Sequence, residues 1–502
     1  MLSITELIMD LGLAIIILGV SHLLWNYLSS PLKAFPGPLW ASFTNLWRLQ
    51  DVFKGRCDIT HNQLHRKYGT AVRMGPKVLS LSDPSVIPHV FNSKNPWMKS
   101  DMYNVNDVIV SGVRLKNLFS HQDEKWHSTY IRPVKGLYSM TKVQDMEPGV
   151  DVTINLLMDK LRERFVRKGQ LCDMADYLNF FAWDVMSQIT FSQNLGILEA
   201  GSDYQASWAD RTRISQMPIL DLLLDKNPIV RLGPPTFVWA NIFSLEQLQK
   251  RLSGGTPPSG HTDFLDKFLE TKKKYPELVN DNTIVTYLLS NTLAGSDTTG
   301  SAMCSAVYHI LKHPRVHRKL RDELYAAKVP LPARWKDLQG LTYLDAVMRE
   351  SMRVNPGVGL MIERIVPEGG FTLPDGRFIP AGTIVGMNPW VINKNEAIFG
   401  ANTEEFIPER WLPSPGESEE AYQARFTKMK STDFTFGAGP RMCMGRYLSQ
   451  LESYKLIATL FSTFEMELPS LEHTWHVTNS WFVRHESIPV KMRERTDLAL
   501  SV

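Results

Sequence analysis

Apolar residues along this chain recur mostly at helical spacing, and the pattern changes character near its start. Residues Ile4–Leu28 are hydrophobic almost throughout, densest over Leu11–Leu24, at the short end of the roughly 17–25 residues that a membrane span needs. Pro31 and Pro36-Gly37-Pro38 follow; fixed φ angles there predict a stiff hinge. Residues Leu64–Leu81 read as a short helix and two brief strands, Ala71–Met74 and Val78–Leu81, around Gly75-Pro76. Asn95–Leu118 reads as irregular, and His121–Tyr138, Val150–Val166, Met174–Thr190 and Leu341–Arg353 read as helices. The Leu- and Pro-rich stretch 216–237 reads either as a loop between buried helices or as an apolar lip on a membrane surface. Ser253–Gly260 is a surface connection. The longest helical candidate is Thr283–Lys312, capped by Asn282 or Thr283 and stopped before Pro314. Short strand signals occupy Glu363–Pro389, and Thr474–Val490 reads as a closing hairpin.

Composition narrows this picture. With 43% hydrophobic and 21% charged residues the chain is ordinarily globular, and a net charge of +3 gives no reason to expect nucleic acid. Four widely spaced cysteines (Cys57, Cys172, Cys304, Cys443) make neither a disulfide framework nor a zinc pattern, so a reducing compartment is expected. Glu6 and Asp10 stand where a signal peptide carries lysines, and no cleavage site follows, so residues 1–29 are expected to be a retained anchor. The first basic residues, Lys33, Arg48 and Lys54, come after it, which places the bulk of the chain in the cytosol.

Candidate chemistry concentrates in Phe436-Gly437-Ala438-Gly439-Pro440-Arg441-Met442-Cys443-Met444-Gly445, just before an apolar-periodic segment (Leu448, Leu451, Tyr454, Ile457, Phe461). Glycines allow a tight turn and close approach to something flat or bulky. A helix start offers free N–H groups and a positive dipole end, which favour a thiolate at Cys443. A thiolate among backbone donors is how a protein holds haem iron through sulfur. The ten-residue frame F-G-x-G-x-R-x-C-x-G resembles the haem-binding signature of the cytochrome P450 family. Three further matches stand in the family's order: Ala294-Gly295-Ser296-Asp297-Thr298-Thr299 (A-G-x-D-T-T), Glu350 to Arg353 (E-x-x-R), and Pro408-Glu409-Arg410-Trp411.

What the resemblance implies is a mainly α fold with small β-sheets, one large haem domain over residues 39–502 behind an anchor (1–29) and a proline-rich hinge (30–38). It implies haem b held by Cys443 within the Phe436–Gly437 turn, with Arg441, Arg364 and Arg132 on the propionates. Arg132 fits imperfectly, since the usual basic position after Trp126 or His127 holds Tyr130 or Ile131. Glu350, Arg353 and Arg410 would form a structural network, and Asp297 and Thr298 would relay protons to dioxygen. Because the sequence carries no flavin or nicotinamide fingerprint, electrons would come from a membrane-bound NADPH-cytochrome P450 reductase, docking on Arg446, Lys135 and Lys142. The anchor, the hinge and the run Glu363–Gly370 resemble fungal microsomal members that tailor secondary metabolites, at the endoplasmic reticulum membrane. The reaction implied is insertion of one oxygen atom from O2 into a mainly apolar small molecule. The alternatives are a hydroperoxide isomerase or dehydratase and a non-catalytic haem protein that binds ligands; Asp297 and Thr298 argue against both. Asn291, on one helix face with Ala294, Gly295 and Thr298, is expected to face the substrate cavity or, alternatively, to bond a neighbouring helix or a water.

Overall fold

A computed structural model of the chain describes residues 4–110, 113–201, 213–224, 238–255 and 262–495. Its principal helices are α1 (Ile4–Ser29), α2 (Leu46–Phe53), α3 (Glu124–Lys135), α4 (Met174–Phe191), α5 (Asp281–Lys312), α6 (Thr342–Val354) and α7 (Arg446–Thr463). The main sheet holds β1 (Ala71–Gly75), β2 (Val78–Leu81), β3 (Ile362–Ile365) and β4 (Ile384–Met387) in the order β1-β2-β4-β3. Only the β2–β4 pairing is parallel. A hairpin of β5 (His476–Asn479) and β6 (Val483–Glu486) lies against α5. This mainly helical architecture with small sheets is the one the motifs implied.

Helix α5 is the axis of the molecule. Its 32 residues span roughly 48 Å, and its cap is Asn280, whose side chain accepts from the Thr283 N–H at 2.9 Å, two residues before the cap read from sequence. Helix α4, apolar or small on nearly every face, is buried along its length against α5. Two glycines make that packing close. A Cβ at Gly295 would stand 2.6 Å from Met186 Sδ, and one at Gly300 would stand 2.4 Å from Asn179 Oδ1. Gly295 therefore serves contact between helices before it serves any kink.

No residue of α1 is buried, and its mean hydropathy reaches 2.2 over eighteen residues, so it is long and apolar enough to cross a bilayer. The proline segment after it is packed onto the body: Leu32 and Phe35 are buried, and Pro36 O accepts from Arg73 N at 2.8 Å. A Cβ on Gly37 would overlap Arg73 O, at 2.2 Å. The last turn of α1 docks as well, Asn26 Nδ2 donating to Phe43 O at 3.0 Å and Tyr27 stacking on Phe43 at 4.9 Å. Of the Leu- and Pro-rich stretch, Pro218–Leu224 is a helix with Ile219 and Leu223 exposed. Residues 225–237, and 256–260 of the surface connection, lie outside the described residues.

Behind the future site sits one buried carboxylate. Glu350, with no exposed surface, accepts from Arg353 Nε and Nη2 (both 2.8 Å), Arg410 Nε (3.1 Å), Trp411 Nε1 (2.9 Å) and Ile407 N (3.0 Å). Arg353 also donates to the carbonyls of Asn393 (2.8 Å) and Thr403 (2.9 Å). Asn393 in turn donates to Asp433 and Thr435 (3.1 Å each) and accepts from Phe434 N (2.8 Å). The chain entering the cysteine loop thus hangs, through one asparagine, from a buried ion pair.

Burial alone would raise the Glu350 pKa, but bonding to Arg353 and the charges of Arg353 and Arg410 bring it below the ordinary 4.5. A lowered carboxylate stabilises the fold above its unfolded pKa, and the gain disappears as pH falls below about 4.5. Glu350→Gln leaves a buried guanidinium uncompensated and should cost about 3–5 kcal/mol. Denaturant melts at pH 7 and pH 4 check it, with the gap between the two proteins narrowing at the lower pH.

Candidate functional site

The cysteine loop folds as its glycines require. Gly437 and Gly439 take φ of +70° and +68°, the left-handed region that favours glycine. A Cβ at Gly439 would lie 2.0 Å from Phe91 O, so only glycine lets the loop pass there. Cys443 N donates to Phe436 O at 2.9 Å, closing the turn. The Cys443 sulfur receives the N–H groups of Gly445 and Arg446, at the start of α7. These donors and the Arg446 charge pull the thiol pKa down, yet burial is the larger influence and leaves it raised from 9.0. Cys443 nevertheless keeps accessible surface while the other three cysteines keep none. Cys443 is thus densely surrounded and yet keeps accessible surface.

One face of helix α5 also keeps accessible surface. In a helix buried almost throughout, Ala294 is exposed and Ser290, Asp297 and Thr298 are half-buried, all on one face. Thr298 Oγ1 donates to Ala294 O at 2.7 Å, and Asp297 Oδ1 accepts from Trp183 Nε1 of α4 at 3.0 Å. Thr299 Oγ1 meets Ser449 Oγ of α7 at 3.3 Å, which ties the Thr298 turn to the helix that follows Cys443. Gly357 packs on Thr298: its Cβ position is 3.6 Å from Thr298 Cβ. Beside it, Val358 bridges to Phe482 across the hairpin, and both remain partly exposed.

Asn291 goes to the alternative rather than to the cavity. It is buried, and its Oδ1 accepts from the Tyr138 hydroxyl beyond the end of α3, while Nδ2 has no partner. Its expected role as a polar anchor for substrate is not what its contacts describe.

The cations sort differently from the sequence reading. Arg441 gives Nε to both Glu124 oxygens (2.8 and 3.0 Å), Nη1 to Leu118 O and Nη2 to His121 O (both 2.9 Å), so its donors close the loop against α3. Arg364, buried on β3, donates to Glu363 O at 2.7 Å, bonds the Tyr103 hydroxyl, and lies 4.9 Å over the Phe91 ring. Arg132 is exposed on α3, outside this group. The cations that act on buried His127, after burial itself, are Arg441, Lys99 and Arg364, and together they hold it down at about 3.

Lys99 is the residue the sequence reading missed. It bridges directly to Arg364, and Ile365 N donates to Met98 O at 2.8 Å. Its ammonium is buried between the Tyr103 and Phe119 rings (4.1 and 4.5 Å) and donates to Phe119 O at 2.6 Å. Burial, then Arg441 and Arg364, depress its pKa well below 10.5. Nearby, Arg48 pairs with Glu363 as Arg441 pairs with Glu124, which leaves Lys99 and Arg364 with no carboxylate in salt-bridge range among the described residues. Two adjacent, buried, uncompensated cations are costly unless an anion completes them. A flat group carrying two carboxylates, such as haem, fits that demand together with the Cys443 sulfur. The only sequence signal for Lys99 was a lone cation among Trp97, Met98 and Tyr103.

Comparison with known proteins shows the family of the chain. The cytochrome P450 family model matches residues 34–490. The chain is 38% identical to cytochrome P450 monooxygenase cfoH of Aspergillus candidus, over 95% of this chain and 92% of that protein. It is 36% identical to cytochrome P450 monooxygenase cicH of Emericella nidulans, over 92% and 94% of the two chains. A cytochrome P450 monooxygenase of Aspergillus terreus shares 36% identity over 90% of this chain and 93% of its own.

If Lys99 and Arg364 hold the anionic edge of haem, Lys99→Met should speed haem transfer to apomyoglobin about 10-fold or more, the worth of one charge-assisted bond. Arg132→Met should stay within about twofold of the wild type. Equal rates for all three proteins would return the cation pair to a purely structural role.

Proposed function

The chain belongs to the cytochrome P450 family of oxidoreductases, and from that premise we propose a haem-thiolate monooxygenase acting on a mainly apolar fungal secondary metabolite. The observation that carries the reading is Cys443, which keeps accessible surface within a dense surrounding and whose sulfur takes two backbone N–H donors at a helix start. Haem b, bound there, supplies the activation of dioxygen, with thiolate ligation favouring O–O cleavage.

The chain's own residues do the rest. The N–H groups of Gly445 and Arg446 stabilise sulfur as the anion. Lys99 and Arg364 neutralise and orient the carboxylates of the cofactor, and Arg441 fixes the loop to α3. Thr298 presents a hydroxyl at the open face of α5, able to pass a proton once its bond to Ala294 O turns outward. Asp297, oriented by the Trp183 indole, sits one residue away as the neighbouring proton donor or acceptor. Val358 and Phe482 supply partly exposed apolar surface beside Thr298, which supports an apolar substrate.

Electrons would arrive from an external NADPH-cytochrome P450 reductase. Lys135 and Lys142 are exposed and Arg446 stands beside the Cys443 carbonyl (3.4 Å), an arrangement suited to an acidic partner on that side. Helix α1 supports single-pass anchoring, with the body in the cytosol at the endoplasmic reticulum membrane.

Cys443→Ser should abolish the red-shifted Soret band of the reduced carbon monoxide complex, which requires a thiolate; its survival would mean another ligand. Thr298→Ala should keep that band while raising the peroxide released per NADPH about 5-fold or more, because a positioned proton donor is lost. Unchanged peroxide yield would remove Thr298 from proton transfer.

A further inference from the structure

Beyond Thr298, helix α5 carries Ser301, Ser305 and His309 at steps of three, four and four, all on the same face. Hydroxyls buried in helices commonly fold back onto the carbonyl four residues earlier, as Thr292, Ser296 and Thr298 do here. Ser301 and Ser305 point away instead. Ser301 Oγ pairs with His485 Nδ1 of β6 at 3.2 Å. Ser305 Oγ donates to Ser351 O at 2.9 Å and lies 3.5 Å from Asn355 Oδ1, the same oxygen that accepts from His309 Nε2 at 2.8 Å.

Each of these imidazoles has one nitrogen spent and one buried without a partner: Nε2 of His485 and Nδ1 of His309. Trp475 lies against both rings, stacked on His485 at 4.2 Å and edge-on to His309 at 5.5 Å. His309 also lines an open cavity of about 680 Å³, with Trp475, Lys312, His313 and Glu405. Burial lowers His485 to about 3, with smaller contributions from His309 and Arg56. Burial lowers His309 to about 4, acting with His313 and Arg353 against Asn355 and Glu350. Both rings are therefore neutral near pH 7, each with one N–H and one lone pair, which is what a hand-to-hand proton carrier needs. A water between the two unpartnered nitrogens would join them.

We propose that His309, His485 and Ser301 form a proton-entry route from the surface cavity to Thr298. This rests on the monooxygenase reading, in which substrate, O2, two protons and two electrons give hydroxylated product and water. Electrons come from the reductase. His309 takes a proton at Nδ1, its one free nitrogen, and as an imidazolium returns it from the same atom to the bridging water, which protonates His485 Nε2 while the Nδ1 proton of His485 passes to Ser301. Ser301 gives its own proton on toward Thr298, one helical turn away. Every group ends neutral and the proton leaves in water; His485 ends as its Nε2–H tautomer, and a ring flip restores the Nδ1–H form for the next transfer. His485 and His309 act as carriers upstream of Thr298, not as catalytic residues.

The test uses the full-length, haem-loaded protein with a P450 reductase, NADPH and no added substrate. Under these conditions O2 goes to peroxide with two electrons and two protons, or to two waters with four of each. Ser301→Ala and His485→Phe should raise the peroxide fraction about threefold or more and enlarge the solvent deuterium isotope effect on O2 consumption. Carbon monoxide difference spectra and melting temperature, read alongside, report any merely structural damage. His309→Phe should behave likewise, and His309→Asp, which keeps a titratable group at the cavity mouth, should restore the wild-type peroxide fraction. If His485→Phe does not fold, Ser301→Ala and the His309 pair decide the matter. Wild-type peroxide fraction and isotope effect in Ser301→Ala and His309→Phe would overturn the route alone. A wild-type protein that binds haem but consumes no O2 would overturn the monooxygenase reading and the route with it.

Discussion

The fold's chemistry hangs on one buried carboxylate. Glu350 is out of contact with water yet accepts five donors, two from Arg353, one each from Arg410 and Trp411, and one from the backbone of Ile407. Isolated, that charge would be too costly to bury. Surrounded as it is, it fixes α6 against the irregular stretch 393–411, and through Asn393 it fixes the strand of backbone that becomes the cysteine loop. A loop of glycines cannot hold a sulfur in place by itself, because glycine backbone loses the most freedom on ordering. The rigidity has to be borrowed, and the ion pair is the lender.

The second governing feature is an imbalance of buried charge. Among the described residues, Lys99, Arg364, Arg441 and Arg48 have only Glu124 and Glu363 in salt-bridge range. Proteins bury cations in excess of anions where a ligand completes the balance, since the penalty otherwise falls on the folded state. The same logic explains why the Cys443 thiol remains raised despite its two N–H donors: polar help within the loop does not outweigh burial. A positive centre on the exposed side of the sulfur is what would complete it.

These two features differ in how far the sequence announced them. Helix periodicity, Gly437 and Gly439, the cap region of α5 and the spacing from Glu350 to Arg353 are local facts, and each was legible because its physical reason lies within a few residues. Lys99 was not, because its meaning comes from Arg364, which is distant in the chain and becomes its neighbour only through strand pairing. Arg132 stands exposed on α3, and closeness in sequence to Trp126 and His127 says nothing of which side of that helix it occupies. Asn291 shares a face with Thr298, but at the margin of the open arc, where Tyr138 reaches it first. The proline segment read as a hinge since Pro and Gly also build tight, buried turns, and only Leu32 and Phe35 tell the two apart.

That buried segment has a mechanical consequence. A catalytic body joined to its anchor by a slack tether would tumble above the bilayer, and its entrance would find the lipid only part of the time. Here the last turn of α1 is bolted to Phe43 by Asn26 and Tyr27, and the next residues are pinned under the sheet. Were α1 to cross a bilayer, its direction would set the tilt of the whole body, as a mast sets the angle of a sail. Exposed Leu39, Trp40, Leu46 and Phe53, close to that bolt in sequence, travel with it. Bilayer thickness, by changing the lean of that mast, would then alter how the body sits without any contact with the active site.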